Sequence, residues 1–254
     1  MTYCLAIAVD SGLVFISDSR TNAGVDRVST YSKMHRFGLA DRQFVVLSAG
    51  NLATTQGVVA QLKRDLKQGV PRNLASVVDM ADAADYLGEL SSAQQTKHSN
   101  DVPFEASFII GGQVPDEQPC IYLVYPEGNH ITSSDDTPYL QIGESKYGKP
   151  ILDRIIRPTS NLDTAALCGL VSMDSTMKSN LTVGPPIELL VYETDSFSLD
   201  RRYVFQADSD YLKQLNKVWD QYLRDSFDRL PPIAWSTHLD APDRDATSAA
   251  GAER

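Results

Sequence analysis

The spacing of apolar positions changes period several times along the chain, and each change marks an element. "YCLAIAV" (Tyr3 to Val9) and "LVFISDS" (Leu13 to Ser19) are rich in β-branched and aromatic residues and flank Asp10-Ser11-Gly12, a turn signal, so they read as strand, turn, strand. "KMHRFG" and "QFVVLSAG" predict a second strand pair, ending at Gly50. From Thr54 the period becomes helical: Val58, Val59, Leu62 and Leu66 share a face, and Gly69 and Pro71 stop the helix. A second helical stripe carries Leu74, Val77, Val78, Ala81 and Ala84, and the polar run "SSAQQTKHSND" after it reads as a loop. Strands resume with "ASFIIGGQ" and "CIYLVYPEG", the latter closed by a Pro126-Glu127-Gly128 turn. "SKYGKPILDRII" and "LDTAALCGLVSMDSTMKSN" are helical, "IELLVYE" and "RRYVF" are strands, and Tyr211 to Leu223 forms an amphipathic helix with a strong apolar face.

The order is strands, two helices, strands, two helices, strands, helix. That is an α+β pattern in which two sheets stack face to face with helices covering both outer sides. No repeat at a solenoid period interrupts it. Residues 1–235 are expected to form a single domain. The tail from Ser236, "STHLDAPDRDATSAAGAER", is polar, rich in small residues and aperiodic, and is expected to be disordered.

Composition narrows the function more than the fold. With 254 residues, 42% hydrophobic and 22% charged, the chain has the make-up of an ordinary globular protein with a sizeable core. Its first fifteen residues have no basic n-region, and no apolar run nears the ~20 residues that span a bilayer. A cytoplasmic protein without membrane contact is therefore expected. Cys4, Cys120 and Cys168 are scattered, with no CxxC pair, which argues against a disulfide framework or zinc ribbon. A net charge of −10 repels a phosphate backbone, so nucleic acid is not an expected partner. His35, His98, His130 and His238 fall in no metal-ligand spacing.

The candidate chemistry lies at the front. Thr2 is small enough for Met1 to be removed by an aminopeptidase, leaving a hydroxyl and a free α-amine on one residue. In an antiparallel hairpin the paired positions have a constant sum. A two-residue loop at Asp10-Ser11 makes it 21 and a three-residue loop through Gly12 makes it 22, so Thr2 faces Ser19 or Arg20. Asp18 is then a cross-strand neighbour, within roughly 5 to 8 Å. Lys33 opens the "KMHRF" strand, where its ammonium can lie between Thr2 and Asp18. A lysine held by one carboxylate stays charged and lowers the pKa of a nearby amine and hydroxyl. An α-amine of reference pKa about 7.7–8.0 suits general-base work at neutral pH, and a threonine with its own amine is a recognised activated nucleophile. Taken singly, each of these residues is as much at home in a structural role. Their combination across one hairpin is what carries the reading.

"TYCLAIAVDSGLVFISDSRTNAG", "STYSKMHRF" and "SAGNLATTQ" resemble the proteasome-type N-terminal nucleophile hydrolases, and more closely their bacterial Anbu (ancestral beta subunit) branch. The resemblance runs from Thr2 through most of the chain and fades in the tail. It implies a four-layer αββα sandwich, with Thr2 as nucleophile after loss of Met1, Lys33 as cationic activator and Asp18 as its orienting carboxylate. It also implies Gly50 as oxyanion-hole donor and Arg20 as a structural pairing residue. The family's Gly-Ser-Gly stretch, whose serine supports the threonine amine, is matched by Gly143-Glu144-Ser145, so either Ser145 or Glu144 takes that role. Its Asp-x-x-Ser-Gly pattern is matched imperfectly by Asp174 and Ser179, five residues apart. No long propeptide is expected ahead of Thr2.

The implied reaction is acyl transfer through a threonine ester, with no metal or organic cofactor. Implied too is self-assembly of identical subunits into a ring or an open, lock-washer-like ring. Three classes fit: a threonine peptidase, with an unidentified ATP-driven partner as a candidate feeder; an amidohydrolase narrow for one unusual amide; and a low-turnover scaffold or binding ring that keeps the fold.

Overall fold

Strands β1 (Tyr3–Val9) and β2 (Gly12–Asp18) are buried along almost their whole length. Strands with no polar face must be covered on both sides. The computed structural model describes residues 1–22, 28–96 and 104–233 and supplies both covers. A short hairpin of β3 (Arg20–Asn22) and β4 (Val28–Thr30) follows β2, then β5 (Met34–Gly38) and β6 (Gln43–Gly50). Helices α1 (Leu52–Gln68) and α2 (Met80–Thr96) precede β7 (Ala106–Gln113), β8 (Cys120–Val124) and β9 (His130–Thr132). The chain continues through β10 (Tyr139–Gly143), α3 (Lys149–Ile155), α4 (Leu162–Ser179), β11 (Ile187–Glu193), β12 (Arg202–Phe205) and α5 (Asp210–Asp228).

One sheet has the order β10-β1-β2-β11-β12 and the other β5-β6-β7-β8-β9. Three apolar cores separate four layers. Cys4, Ala6, Leu13 and Phe15 of the first sheet meet Val45, Leu47, Ile109 and Ile121 of the second. The alternate residues Tyr3, Leu5, Ile7, Val14 and Ile16 face α3 and α4, while Phe44, Val46, Phe108 and Ile110 face α1 and α2. This is the αββα sandwich expected from the element order. At Gly111 a Cβ would lie 2.8 Å from the Phe15 ring, so the missing side chain lets that ring fill the space between the sheets.

Several elements differ from the periodicity. The second helix starts at Met80, not near Leu74, because side chains cap earlier turns. Asn73 Oδ1 accepts from Ala75 N–H at 2.7 Å, and Asp79 Oδ1 accepts from Asp82 N–H while Asp82 Oδ2 accepts from Val78 N–H, a reciprocal cap. Val78, placed on the apolar stripe from sequence, is 79% exposed. "SSAQQT" continues the helix to Thr96, with Gln95 Nε2 donating to Pro126 O; the rest of that polar run reaches outside the described residues. Strands β3, β4, β9 and β10 had no counterpart in the sequence reading.

The described residues fall into two compact units that divide between Asn216 and Lys217. In the first, Leu212 and Leu215 of α5 pack on the core beside α4. In the second, Tyr222, Leu223, Phe227, Leu230 and Ile233 are exposed. The tail expected to be disordered, from Ser236, lies outside the described residues.

Candidate active site

The hairpin register decides what surrounds Thr2. Cys4 pairs with Ser17 and Val9 with Gly12, so the sum of paired positions is 21 and the loop is Asp10-Ser11. Carried past Cys4, that register sets Thr2 against Ser19 and Tyr3 against Asp18. The Asp18 carboxylate, fully buried, accepts the Tyr3 N–H at 3.0 Å on Oδ1 and the Gly184 N–H at 3.3 Å on Oδ2. Lys33 Nζ donates to the same Oδ1 at 2.7 Å and to Arg20 O at 2.7 Å. Burial pushes the Asp18 carboxyl above the usual carboxylate range, opposed by the Lys33 ammonium and by the Tyr3 and Gly184 N–H groups. Lys33 is anchored in turn by β6, where Ser48 N–H donates to Lys33 O at 3.0 Å.

Gly50 ends β6 with φ of 110°, and a Cβ there would stand 2.4 Å from Glu105 O. Only glycine takes both the dihedral and the approach without displacing β7. Gly50→Ala is accordingly expected to destabilise the fold by about 2–3 kcal/mol, read as a lower urea midpoint. Asn51 then caps α1, its side chain accepting from Ala53 and Thr54 N–H.

Thr2, Arg20, Lys33, Gly50 and Gly143 line one cleft of about 620 Å³, with Met1 at its wall. The cleft extends toward α1 along His35, Ser48, Leu52, Thr55 and Gln56. The charged side chains on its walls, Arg20 and Lys33, are cationic, and no carboxylate lines it among the described residues. Arg20 Nη1 donates to Leu181 O at 2.7 Å, and its guanidinium lies so close over Gly184 that a Cβ there would be 2.4 Å from Cζ.

Glu144 and Ser145 flank the far side of Thr2. Gly143, at φ of 82°, brings β10 so near that a Cβ would lie 2.0 Å from Thr2 O, and Glu144 N–H donates to that oxygen at 2.7 Å. The buried Glu144 carboxylate accepts from Asn180 Nδ2 at 3.0 Å, with Lys146 Nζ 3.6 Å away. Ser145 takes part through its backbone, donating to Gly143 O and accepting from Gln141 Nε2 and Lys149 N–H. Asp174, on α4, accepts two contacts from Asn216 Nδ2, at 3.0 and 3.1 Å, and Ser179 is exposed at the end of α4. Neither lines the cleft. The geometry thus brings Thr2, Asp18, Lys33, Gly50, Arg20 and Glu144 around one strand end and leaves Asp174 and Ser179 away from the cleft wall.

The family model for proteasome subunits matches residues 2–192. The chain belongs to the proteasome family. Among solved structures it is similar to Anbu from Yersinia bercovieri, with a TM-score of 0.87 and 45% identity over 91% of this chain and 98% of that one. Anbu from Hyphomicrobium sp. strain MC1 has a TM-score of 0.85 and 42% identity, over 91% and 99%. A helical assembly of the Anbu complex from Pseudomonas aeruginosa has a TM-score of 0.88 and 41% identity, over 92% and 99%. The chain thus falls in the Anbu branch of the family. Among curated proteins nothing matches.

Three parts of this proteasome-family site escaped the sequence reading: the Tyr3 N–H, the Gly184 N–H and Asn180. The first two are backbone groups with no side-chain signature. Asn180 had the signal of a helix-ending residue before a Val-Gly-Pro turn. His35, one of four histidines in no metal-ligand spacing, lines the cleft. Burial, with Lys63 nearby, lowers its pKa to about 4, so it is neutral at pH 7. The unfolded chain takes up this proton near pH 6.5 and the folded one near 4, so folding stability falls as pH drops between those values, by up to about 3 kcal/mol. His35→Gln should flatten that part of a stability–pH curve measured by urea unfolding.

No cluster of three or more metal-ligating side chains occurs among the described residues, and no helix there is long and apolar enough to cross a membrane.

Proposed function

We propose that the protein is an N-terminal threonine hydrolase that cleaves peptide or related amide bonds. The observation that carries this reading is the buried Lys33–Asp18 ion pair at 2.7 Å, set at the wall of the cleft that Thr2 and Gly50 also line. While Met1 is attached, the Thr2 nitrogen is a peptide amide and has no basic lone pair. Its removal leaves an α-amine on the residue that carries the hydroxyl.

The Thr2 hydroxyl adds to the substrate carbonyl as the α-amine takes its proton. The Lys33 ammonium lowers the pKa of both groups, and the Gly50 N–H donates to the developing oxyanion, a contact worth roughly 3 kcal/mol. The C–N bond then breaks, the ammonium returns the proton to the leaving nitrogen, and an acyl-threonine ester remains. Water, deprotonated by the same amine, hydrolyses the ester and regenerates the hydroxyl.

Identical subunits are proposed to assemble into a ring or an open, lock-washer-like ring in the cytoplasm, supported by the helical assembly of the Pseudomonas aeruginosa relative. Repeated heterologous contacts close or wind according to their rotation. Turnover of a panel of fluorogenic peptides by the Met1-free protein tests the reading. Cleavage of several peptides supports a broad peptidase. Reaction of Thr2 with an electrophile without turnover of any peptide supports the narrow amidohydrolase, and neither response supports the scaffold.

A further inference from the structure

Asn180 lies just past α4 and touches both flanks of the Thr2 strand end through its neighbours. Its backbone is fixed: its N–H donates to Thr176 O at 2.8 Å, and its carbonyl accepts from Val183 N–H at 3.1 Å. Its side chain is used at both ends. Nδ2 donates to Glu144 Oε2 at 3.0 Å, while Oδ1 accepts from the Thr182 N–H at 3.0 Å and from the Thr182 hydroxyl at 2.6 Å. Only an amide serves this position, since a carboxylate needs a donor on one side and two N–H or O–H groups need an acceptor on the other.

Each partner leads to the site. Glu144 donates its own N–H to Thr2 O at 2.7 Å, which fixes the carbonyl of the residue bearing the hydroxyl. The turn that Asn180 braces runs on to Gly184, whose N–H meets Asp18 Oδ2 and whose carbonyl accepts from Ser19 and Arg20 N–H at 3.4 and 3.2 Å. Arg20 closes the same turn from outside through Leu181 O. The Thr2 backbone and the carboxylate that holds Lys33 are therefore tied to one side chain by separate routes.

We propose that Asn180 is a positioning residue, bridging Glu144 and the 181–184 turn so that Thr2 is held in register with the Asp18–Lys33 pair. The inference deepens the threonine-hydrolase reading and rests on it for its catalytic consequence. A nucleophile displaced by about an ångström loses on the order of 100-fold in rate, so loss of one bridge should register strongly in Thr2 reactivity.

The test uses the full-length, Met1-free chain with two readouts: hydrogen exchange at the Glu144 and Gly184 amides, and the rate of covalent labelling by a peptide epoxyketone. Asn180→Ala should raise exchange at both amides and slow labelling by about 10-fold or more. Asn180→Asp sets a second carboxylate about 3 Å from Glu144, where both cannot ionise together. The charged group facing that pair is Lys146, 3.6 Å from Glu144 Oε1. Labelling by Asn180→Asp should therefore recover as pH is lowered toward 5, relative to Asn180→Ala at each pH. The double variant Glu144→Gln with Asn180→Asp restores an amide–carboxylate pair of reversed polarity, and should recover both protection and labelling at neutral pH.

Unchanged exchange in Asn180→Ala would overturn the proposal. So would raised exchange with labelling at the parental rate, or a double variant no better than Asn180→Asp. If Asn180→Ala does not fold, the aspartate variant and the double variant decide. A parent that never labels contradicts the nucleophile reading alone, and exchange at the two amides then decides the bridge by itself.

Discussion

Thr2→Ala is expected to abolish epoxyketone labelling and to lower amide turnover by about 10⁴-fold or more, the scale on which removal of a covalent nucleophile acts. The fold should hardly notice. Thr2 precedes β1, is only partly buried, and is tied to its surroundings through its carbonyl, which Glu144 N–H holds whatever the side chain. A urea midpoint within roughly 0.5 kcal/mol of the parent is therefore expected. Thr2→Ser keeps both hydroxyl and amine and should retain labelling. Equal loss in the serine and alanine variants would mean that the hydroxyl is not the reacting group.

The second large effect is at Lys33, where stability and activity separate. Lys33→Met leaves a fully buried Asp18 carboxylate with the Tyr3 and Gly184 N–H groups but no counter-charge. Breaking a buried pair in this way costs about 3–5 kcal/mol. Labelling should fall by about 100-fold or more with the loss of the cation that tunes the amine. Burial already raises the Asp18 pKa, and loss of the ammonium removes the largest influence that opposes it. The folded form then binds the proton more tightly than the unfolded one, so the destabilisation is largest at neutral pH and shrinks as pH falls. Urea unfolding at pH 7.5 and 5 reads this directly. Asp18→Asn combined with Lys33→Met removes both charges, and should recover most of the stability and none of the labelling. A double variant as unstable as Lys33→Met would show that the pair's geometry, and not uncompensated charge, holds this strand end.

The strands that build the front of the site could be read from sequence because their signal is local. "YCLAIAV" and "LVFISDS" are continuous apolar runs around a two-residue turn, and a constant sum of positions converts that turn into a pairing of Thr2 with Ser19. Gly50 is legible locally only as the glycine ending an apolar strand, and its role as a donor comes from the family resemblance of "SAGN". The far side of Thr2 was not readable. β10 is a five-residue strand between polar segments, and nothing in "YLQIG" says that it pairs with β1, where Gly143 lies opposite Tyr3, 140 residues away. Without β10 the approach of Gly143 to Thr2 O has no sequence signature. The family's Asp-x-x-Ser-Gly pattern points, with imperfect spacing, to Asp174 and Ser179 on α4, whereas contact with Glu144 comes from Asn180, the residue at which that helix stops. The boundary of α2 escaped for a different reason. Helical spacing of Leu74 and Val77 coincides with burial in turns, and the side-chain cap at Asp79 overrode it.

The central claim is that Thr2 becomes a free N-terminal nucleophile beside the Lys33–Asp18 pair. The most direct measurement is the intact mass of protein purified from its native host, before and after incubation with a peptide epoxyketone, which needs hydroxyl and amine on the same residue. The expected result is a chain lighter by one methionine that gains one inhibitor per subunit, with the adduct on Thr2. Met1 wholly retained, with no adduct formed, would contradict the claim and leave the scaffold reading in its place.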